Sequence, residues 1–287
     1  VGGPIINESG QTLVAGHAVD WLVEGYGEQP FAALLRAWRD GLAGADEVPG
    51  LYRRQGGGWR GRAQDGSGAE MLARVPSVFR QGLVDLSRGQ MLHVEWSRGC
   101  PFACRYCSWG MGSRKVHLAP HDRIVDDVRF AREQGVGEVV LNCSAINFST
   151  GDLERYVAAM TEGDPHGDVA FTAFVMYETL RPEHVELLRR VRFKSLCLGL
   201  QTDEDAGRDV VGRPPFDRAR FEWAVREIGK LTRPGISVIS AIPGDTLDKF
   251  RARLDYLVDG FDAYITVFPL QVPPGTAMWQ ARQELGI

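Results

Sequence analysis

Three features of the sequence predict an α/β fold built on a parallel sheet that curves into a partial barrel. From residue 91 onward, short apolar runs alternate with amphipathic segments of helical period, the pattern of successive β/α units. Six such units follow one another, and strands that run parallel need a crossover helix between each pair. Three cysteines stand directly after the first run, and the chemistry of such barrels gathers at the C-terminal ends of the strands.

The strand-like runs are 92–96, 138–143, 169–175, 195–200, 236–242 and 263–269, and the helical segments between them are 122–134, 151–160, 181–191, 217–231 and 247–258. Upstream, Val1-Gly-Gly-Pro4 reads as the end of a strand, and 20–23 as a short strand closed by the glycine-rich Glu24-Gly-Tyr-Gly-Glu28. Pro30 then opens an amphipathic helix over 31–42. This is the tail of a βαβα arrangement whose first strands lie outside the sequence, the C-terminal part of a Rossmann-like domain. Residues 43–90 are rich in Gly, Asp, Arg and Gln and read as a linker, with a small glycine-turn hairpin over 51–59. The predicted organisation is therefore 1–42, part of a Rossmann-like domain; 43–90, linker; and 91–287, a partial (β/α)6 TIM-like barrel. The chain begins at Val1 and reads as a piece of a longer protein.

The 287 residues are 44% hydrophobic and 24% charged, a globular composition able to bury a sizeable core. A formal net charge of -4 gives no electrostatic reason to expect nucleic acid or an anionic membrane as partner. No apolar run approaches the ~20 residues that span a bilayer, and no signal peptide opens the chain. The five cysteines are Cys100, Cys104, Cys107, Cys143 and Cys197. An odd count with a tight cluster is unlike a disulfide framework and points to a reducing cytoplasm and a metal site.

The cluster lies in Glu95-Trp-Ser-Arg-Gly-Cys100-Pro-Phe-Ala-Cys104-Arg-Tyr-Cys107-Ser-Trp-Gly110. Gaps of three and two residues let one loop curl around three corners of an iron–sulfur cube and leave the fourth iron without a protein thiolate. A structural zinc site is the alternative, with His117 or His121 as fourth ligand. However, this is not a zinc-ribbon spacing, and a ferredoxin-type carrier would use four thiolates. Cys143 and Cys197 sit in strand-like runs and read as small buried apolar residues.

The CxxxCxxC spacing with Tyr106 before the last cysteine resembles the radical SAM superfamily, and the resemblance extends over 91–287. It implies a [4Fe-4S] cluster on Cys100, Cys104 and Cys107 whose open iron chelates the amino and carboxylate groups of S-adenosylmethionine (SAM). An electron from the cluster then splits the sulfonium to give a 5′-deoxyadenosyl radical that abstracts hydrogen from substrate. Tyr106 and the neighbouring Trp109 are candidates to lie beside the cofactor.

In the family, the loop after the second strand lines the methionine end of SAM. Here it reads Leu141-Asn-Cys-Ser-Ala-Ile-Asn147, without the frequent Gly-Gly-Glu, which leaves backbone and Asn142 or Ser144 for the contact. The bland reading of this loop is a helix start capped by Ser149 or Thr150. Gln201 stands where the family contacts ribose, or simply caps the next loop. Arg213 either forks onto the SAM carboxylate or is a solvated arginine. Tyr177 and Glu178 close the third strand as candidates for SAM or substrate contact. Residues 240–244 resemble the GxIxG-type segment beside adenine, with Ser240 and Pro243 in place of expected glycines; Gly244 equally suits an ordinary turn. Leu270 and Val272, in an ending similar to L-x-x-x-P-G-T, would give adenine an apolar wall.

The first ninety residues resemble the C-terminal part of the cobalamin-binding domain of one radical SAM branch, where glycines such as Gly2 and Gly3 let the cofactor approach the backbone. A vestigial layer that only supports the barrel is the alternative. With cobalamin, the implied reaction is methyl transfer to an unactivated carbon of a small metabolite or peptide, fed by an external electron donor such as flavodoxin or ferredoxin. Without it, the resemblance implies an epimerase, cyclase or rearrangement enzyme. A non-catalytic metal-stabilised binding protein is the reading from another class. Methylthiolating RNA enzymes carry additional N-terminal cysteines, and none precedes Cys100 here.

Overall fold

The computed structural model describes residues 2–3, 14, 16–64, 69–83, 91–110 and 113–287. The chain divides into two compact units: Val1–Val75 with Gly99–His117 and Gln271–Ile287, and Pro76–Arg98 with Leu118–Leu270.

In the first unit, β1 (Gly2–Gly3) runs parallel to β2 (Trp21–Glu24). Helix α1 (Glu28–Arg39) follows. It starts ahead of Pro30, because proline is tolerated in a first turn, where its missing N–H has no helical partner. Gly41 and Leu42, at φ 80° and 65°, end it before the predicted residue 42. The stretch read as linker carries a hairpin, β3 (Leu51–Gln55) and β4 (Gly58–Arg62), turned by Gly56 and Gly57 at positive φ. β3 pairs antiparallel with β2, so the hairpin extends the same sheet in the order β1-β2-β3-β4.

The second unit is an α/β sheet. Its strands are β5 (Met91–Val94), β8 (Glu138–Leu141), β9 (Ala170–Val175), β10 (Phe193–Gln201), β11 (Gly235–Ser240) and β12 (Tyr264–Pro269). The short strands β6 (Ser97–Arg98) and β7 (His117–Leu118) flank the cysteine loop in the chain. The order β12-β11-β10-β9-β8-β5 puts each strand beside its predecessor, and every pair is parallel. The connecting helices are α2 (His121–Glu133), α3 (Thr150–Gly163), α4 (Pro182–Leu188), α5 (Asp205–Val211), α6 (Arg218–Gly229) and α7 (Leu247–Gly260). All six predicted strands and five predicted helices are present; α5 was not anticipated. α8 (Ala277–Gln280) lies in the first unit. Side-chain oxygens of Ser149, Asp217, Thr246 and Thr276 accept from first-turn backbone amides and start α3, α6, α7 and α8.

Strand residues alternate between two environments. Leu92, Val94, Val139, Leu141, Phe171, Ala173, Leu196 and Leu198 are buried. His93, Val140, Thr172, Phe174, Ser195 and Cys197 on the other face are half-buried or exposed. One face is thus core and the other open, and the parallel order brings all six C-terminal strand ends to one edge. Among the described residues, no helix is long and apolar enough to cross a membrane.

Candidate active site

The cysteine loop is shaped by glycine and by carbonyl clasps. Gly99 adopts φ 92°, and a Cβ there would overlap the Lys115 carbonyl oxygen, so only glycine fits. The Cys100 amide donates to Ser113 O at 3.0 Å, and the Cys107 amide to Cys104 O at 3.1 Å, closing a turn between the last two cysteines. Arg114 donates to Phe102 O. Gly110 sits close against the Cys100 and Phe102 carbonyls, where a Cβ would come within 3.1 and 3.2 Å. The Met278 amide donates to Arg105 O at 2.8 Å and fastens α8 to the loop. Cys104, Cys107, Arg105, Gly110, Thr276 and Gln280 line a cavity of about 480 Å³.

Cys100, Cys104 and Cys107 are half-buried, and none of the five cysteines is in a disulfide. Among the described residues, no three His, Cys, Asp or Glu side chains already stand together as a ligand group. The three sulfurs share one loop and not yet one point. The donor set itself, three thiols with an adjoining cavity, suits an iron–sulfur cube with an open corner. His117 Nε2 faces Ser113 Oγ at 3.3 Å, and His121 pairs with Glu162 at 2.9 Å. Trp109 is 44% exposed and Tyr106 half-buried. Val272 belongs to this same unit.

The remaining candidates lie at strand ends of the second unit, except Gly2 and Gly3, which form β1 of the small sheet. Asn142, exposed after β8, donates its amide to Val94 O at 2.8 Å and holds Oδ1 3.4 Å from His93 Nδ1. Ser144 is half-buried. Cys143 between them is fully buried against Ser97 and Tyr156, and burial pushes its thiol up to about 12, which leaves it protonated and inert. Cys197 is half-buried, 3.6 Å from Ser195 Oγ, and its thiol is also raised by burial. Ser149 caps α3 as the bland reading of that loop anticipated.

Gln201 ends β10 at φ 66°. The Thr202 amide donates across it to Leu200 O at 2.9 Å, a γ-turn of the positive-φ kind that is rare and strained. The strand register shifts between Gly199 and Gln201, and a Cβ on Gly199 would come within 2.7 Å of the Gln201 amide nitrogen. Arg213 is buried and paired with Glu178, which Arg208 also reaches at 3.4 Å. Tyr177 is buried beside it, its hydroxyl pushed up to about 12 by burial first and the Glu178 charge second. Ser240 accepts from the Leu270 amide at 3.0 Å, and its hydroxyl donates to Phe268 O at 3.4 Å. Ala241 and Gly244 follow at φ 61° and 86°. Buried Gln201 Oε1 and Glu178 Oε2 have no hydrogen-bond partner among the described residues. Two orphaned acceptors, one of them at a strained turn, suit a ligand that brings hydrogen-bond donors.

Sequence reasoning did not find Arg208, Arg253 or Asn147. Arg253 is buried and holds Thr202 Oγ1 at 2.8 Å, Asp203 at 2.5 Å and Asp245 at 2.8 Å, linking the loops after β10 and β11. Asn147 is buried and clips the loop after β9 through the Met176 amide and carbonyl, at 2.8 and 2.9 Å. Arg208 and Arg253 lie within helices and Asn147 in the loop after β8, and no local pattern marks any of them.

A loop carrying three thiols in one unit and a parallel sheet with polar strand ends in the other define the class: an α/β protein whose donor set suits an iron–sulfur cofactor. Residues 94–257, more than half the chain, match the Radical SAM superfamily, and the chain belongs to it. The chain is 26% identical over 91% of its length to the hopanoid C-3 methylase of Methylococcus capsulatus, of which it covers 59%. It is 26% identical over 96% of its length to the cobalamin-dependent radical SAM methyltransferase TokK of Streptomyces tokunonensis, covering 43% of that protein. Its fold superposes on the radical SAM methyltransferase TsrM of Kitasatospora setae, solved with cobalamin and a [4Fe-4S] cluster, at TM-score 0.79 and 19% identity over 99% of this chain and 60% of that one. The chain thus spans about half the length of these relatives.

Proposed function

We propose that the chain is the catalytic core of a cobalamin-dependent radical SAM methyltransferase acting on an unactivated carbon of a small molecule. The observation that carries this is the glycine-shaped loop of Cys100, Cys104 and Cys107 bordering a cavity, in a chain of this family. Cobalamin dependence draws on the relatives, two of which are named or were solved as cobalamin-dependent or cobalamin-bound methyltransferases. When bound, the cluster supplies the electron that cleaves the sulfonium of SAM, and cobalamin supplies a methyl carrier.

In this reading Cys100, Cys104 and Cys107 hold three irons and leave the fourth for SAM. Tyr106 and Trp109, on the cysteine loop, lie beside the cluster, and Asn142 or Ser144 contacts the methionine end of SAM. Gln201 accepts from its donors, and Arg213, kept in place by Glu178, faces its carboxylate. Ser240, Gly244, Leu270 and Val272 seat adenine. The six-stranded sheet acts as a partial (β/α)6 barrel over 91–287. Residues 1–42, with Gly2 and Gly3 at β1, act as the C-terminal part of a cobalamin-binding-type Rossmann-like domain, joined through 43–90. A flavodoxin- or ferredoxin-type protein delivers the electron.

Anaerobic reconstitution tests this. The protein is expected to take up about four irons per chain and to convert SAM to 5′-deoxyadenosine under reductant, and the methyltransferase reading adds bound cobalt when cobalamin is supplied. Zinc uptake without iron would overturn the proposal. Iron and 5′-deoxyadenosine without cobalt would leave a radical SAM enzyme of the cobalamin-independent kind.

A further inference from the structure

The γ-turn at Gln201 holds a non-glycine residue in left-handed conformation, which persists only where its surroundings over-determine it. One side chain does most of this. Arg208, on α5, is completely buried. Its Nη1 donates to both carbonyls that bracket Gln201, Leu200 O at 3.3 Å and Thr202 O at 2.9 Å. Its Nε donates to Pro214 O, and its Nη2 reaches Glu178 at 3.4 Å. The guanidinium also lies over the Phe216 ring, 5.8 Å from its centroid. Every guanidinium nitrogen has an acceptor; Leu200 O belongs to the peptide group that enters Gln201, and Thr202 O pins the residue whose amide closes the γ-turn. Gly199 leaves room for the Gln201 amide, and Gln201 Oε1 is left without a protein partner among the described residues.

We infer that Arg208 is a positioning residue: by clasping the Leu200 and Thr202 carbonyls it holds Gln201 in the strained turn that presents its side-chain amide to SAM. The inference rests on the proposed cofactor reading. Arg208 touches no cofactor; it acts through Gln201. A planar fork with fixed donor directions suits this task, whereas a lysine ammonium on a flexible stem cannot reach four separate acceptors.

The test uses the reconstituted protein with Arg208→Lys, Gln201→Gly and the double variant. It reads iron content, equilibrium SAM binding, kcat and KM for 5′-deoxyadenosine formation, and the thermal midpoint of the iron-free protein. Arg208→Lys is expected to keep iron and kcat while weakening SAM binding and raising KM by roughly ten- to a hundredfold. Gln201→Gly is expected to lose SAM affinity by a similar factor with an unchanged or raised midpoint, because glycine accepts the left-handed turn without strain. The double variant should be no weaker than the worse single variant, since both changes break one element. SAM affinity of Arg208→Lys equal to wild type, or losses that simply add in the double variant, would overturn the inference. Should Arg208→Lys not fold, wild-type SAM affinity in Gln201→Gly would overturn it equally. Wild-type protein that takes up no iron or makes no 5′-deoxyadenosine fails the functional proposal instead, before any variant is compared.

Discussion

At Gly99 the backbone takes φ 92° with the Lys115 carbonyl where a Cβ would lie. A methyl group at this position strains the turn and pushes the return strand of the loop away from Cys100. Gly99→Ala is therefore expected to lose more than half of its iron while all three thiols remain, measured by iron and labile sulfide after reconstitution; iron content equal to wild type would refute this. Cys143→Ala and Cys197→Ala serve as the contrast. Both thiols are raised by burial and lie off the loop, so both variants should bind iron like wild type, whereas alanine at Cys100, Cys104 or Cys107 should abolish it. The three cysteines proposed as ligands stand out in sequence because their spacing is local and chemically specific. Arg208 was not legible: its acceptors are at residues 178, 200, 202 and 214, and no local pattern distinguishes a buried arginine from a solvated one. Arg213 shows the same limit. Sequence left it between cofactor contact and solvent, and in the fold it is buried on Glu178.

The elements of the second unit were readable because each strand is a short apolar run between turn signals and each longer helix carries apolar residues at helical spacing. The seven-residue α5 was missed. α4 is equally short but was read within the longer apolar-periodic stretch 181–191, whereas Gly212 at φ 71° ends α5 and Pro214 and Pro215 follow it. The glycine-rich β3–β4 was legible as a hairpin, but its pairing onto β2 was not, since nothing in one strand names its neighbour. α4 carries a pH-dependent contact. His184 is buried with Nε2 2.9 Å from Thr150 Oγ1 in the first turn of α3. Burial lowers its pKa below the usual 6.5; the nearby Glu183 opposes the shift and Arg181 adds to it. The folded state therefore holds the neutral imidazole, while the unfolded chain takes up a proton near the ordinary value. This contribution to stability is full above that value and is lost as pH falls through it. Urea unfolding should show wild type losing more stability between about pH 7.5 and 5.5 than His184→Gln; identical slopes would show that His184 does not titrate in this way.

For the whole molecule, six parallel strands in sequential order bring every C-terminal strand end to one edge. That single topological fact gathers Asn142, Glu178, Gln201, Arg213 and Ser240, which are dispersed in sequence. Local periodicity gave the strands, and the crossover rule then gave their order. The division into two units was less legible, because the cysteine loop and residues 271–287 cluster with the N-terminal part of the chain rather than with the sheet. The account as a whole depends on three thiolates leaving one iron open to SAM. Electron–nuclear double resonance on the reduced, reconstituted protein with SAM labelled at its amino nitrogen reads that corner directly. A hyperfine coupling from the nitrogen-15 label to the cluster is predicted, replaced by the nitrogen-14 pattern when unlabelled SAM is substituted. A fully loaded cluster with no such coupling, its fourth iron held by a side chain of the protein, would contradict the account.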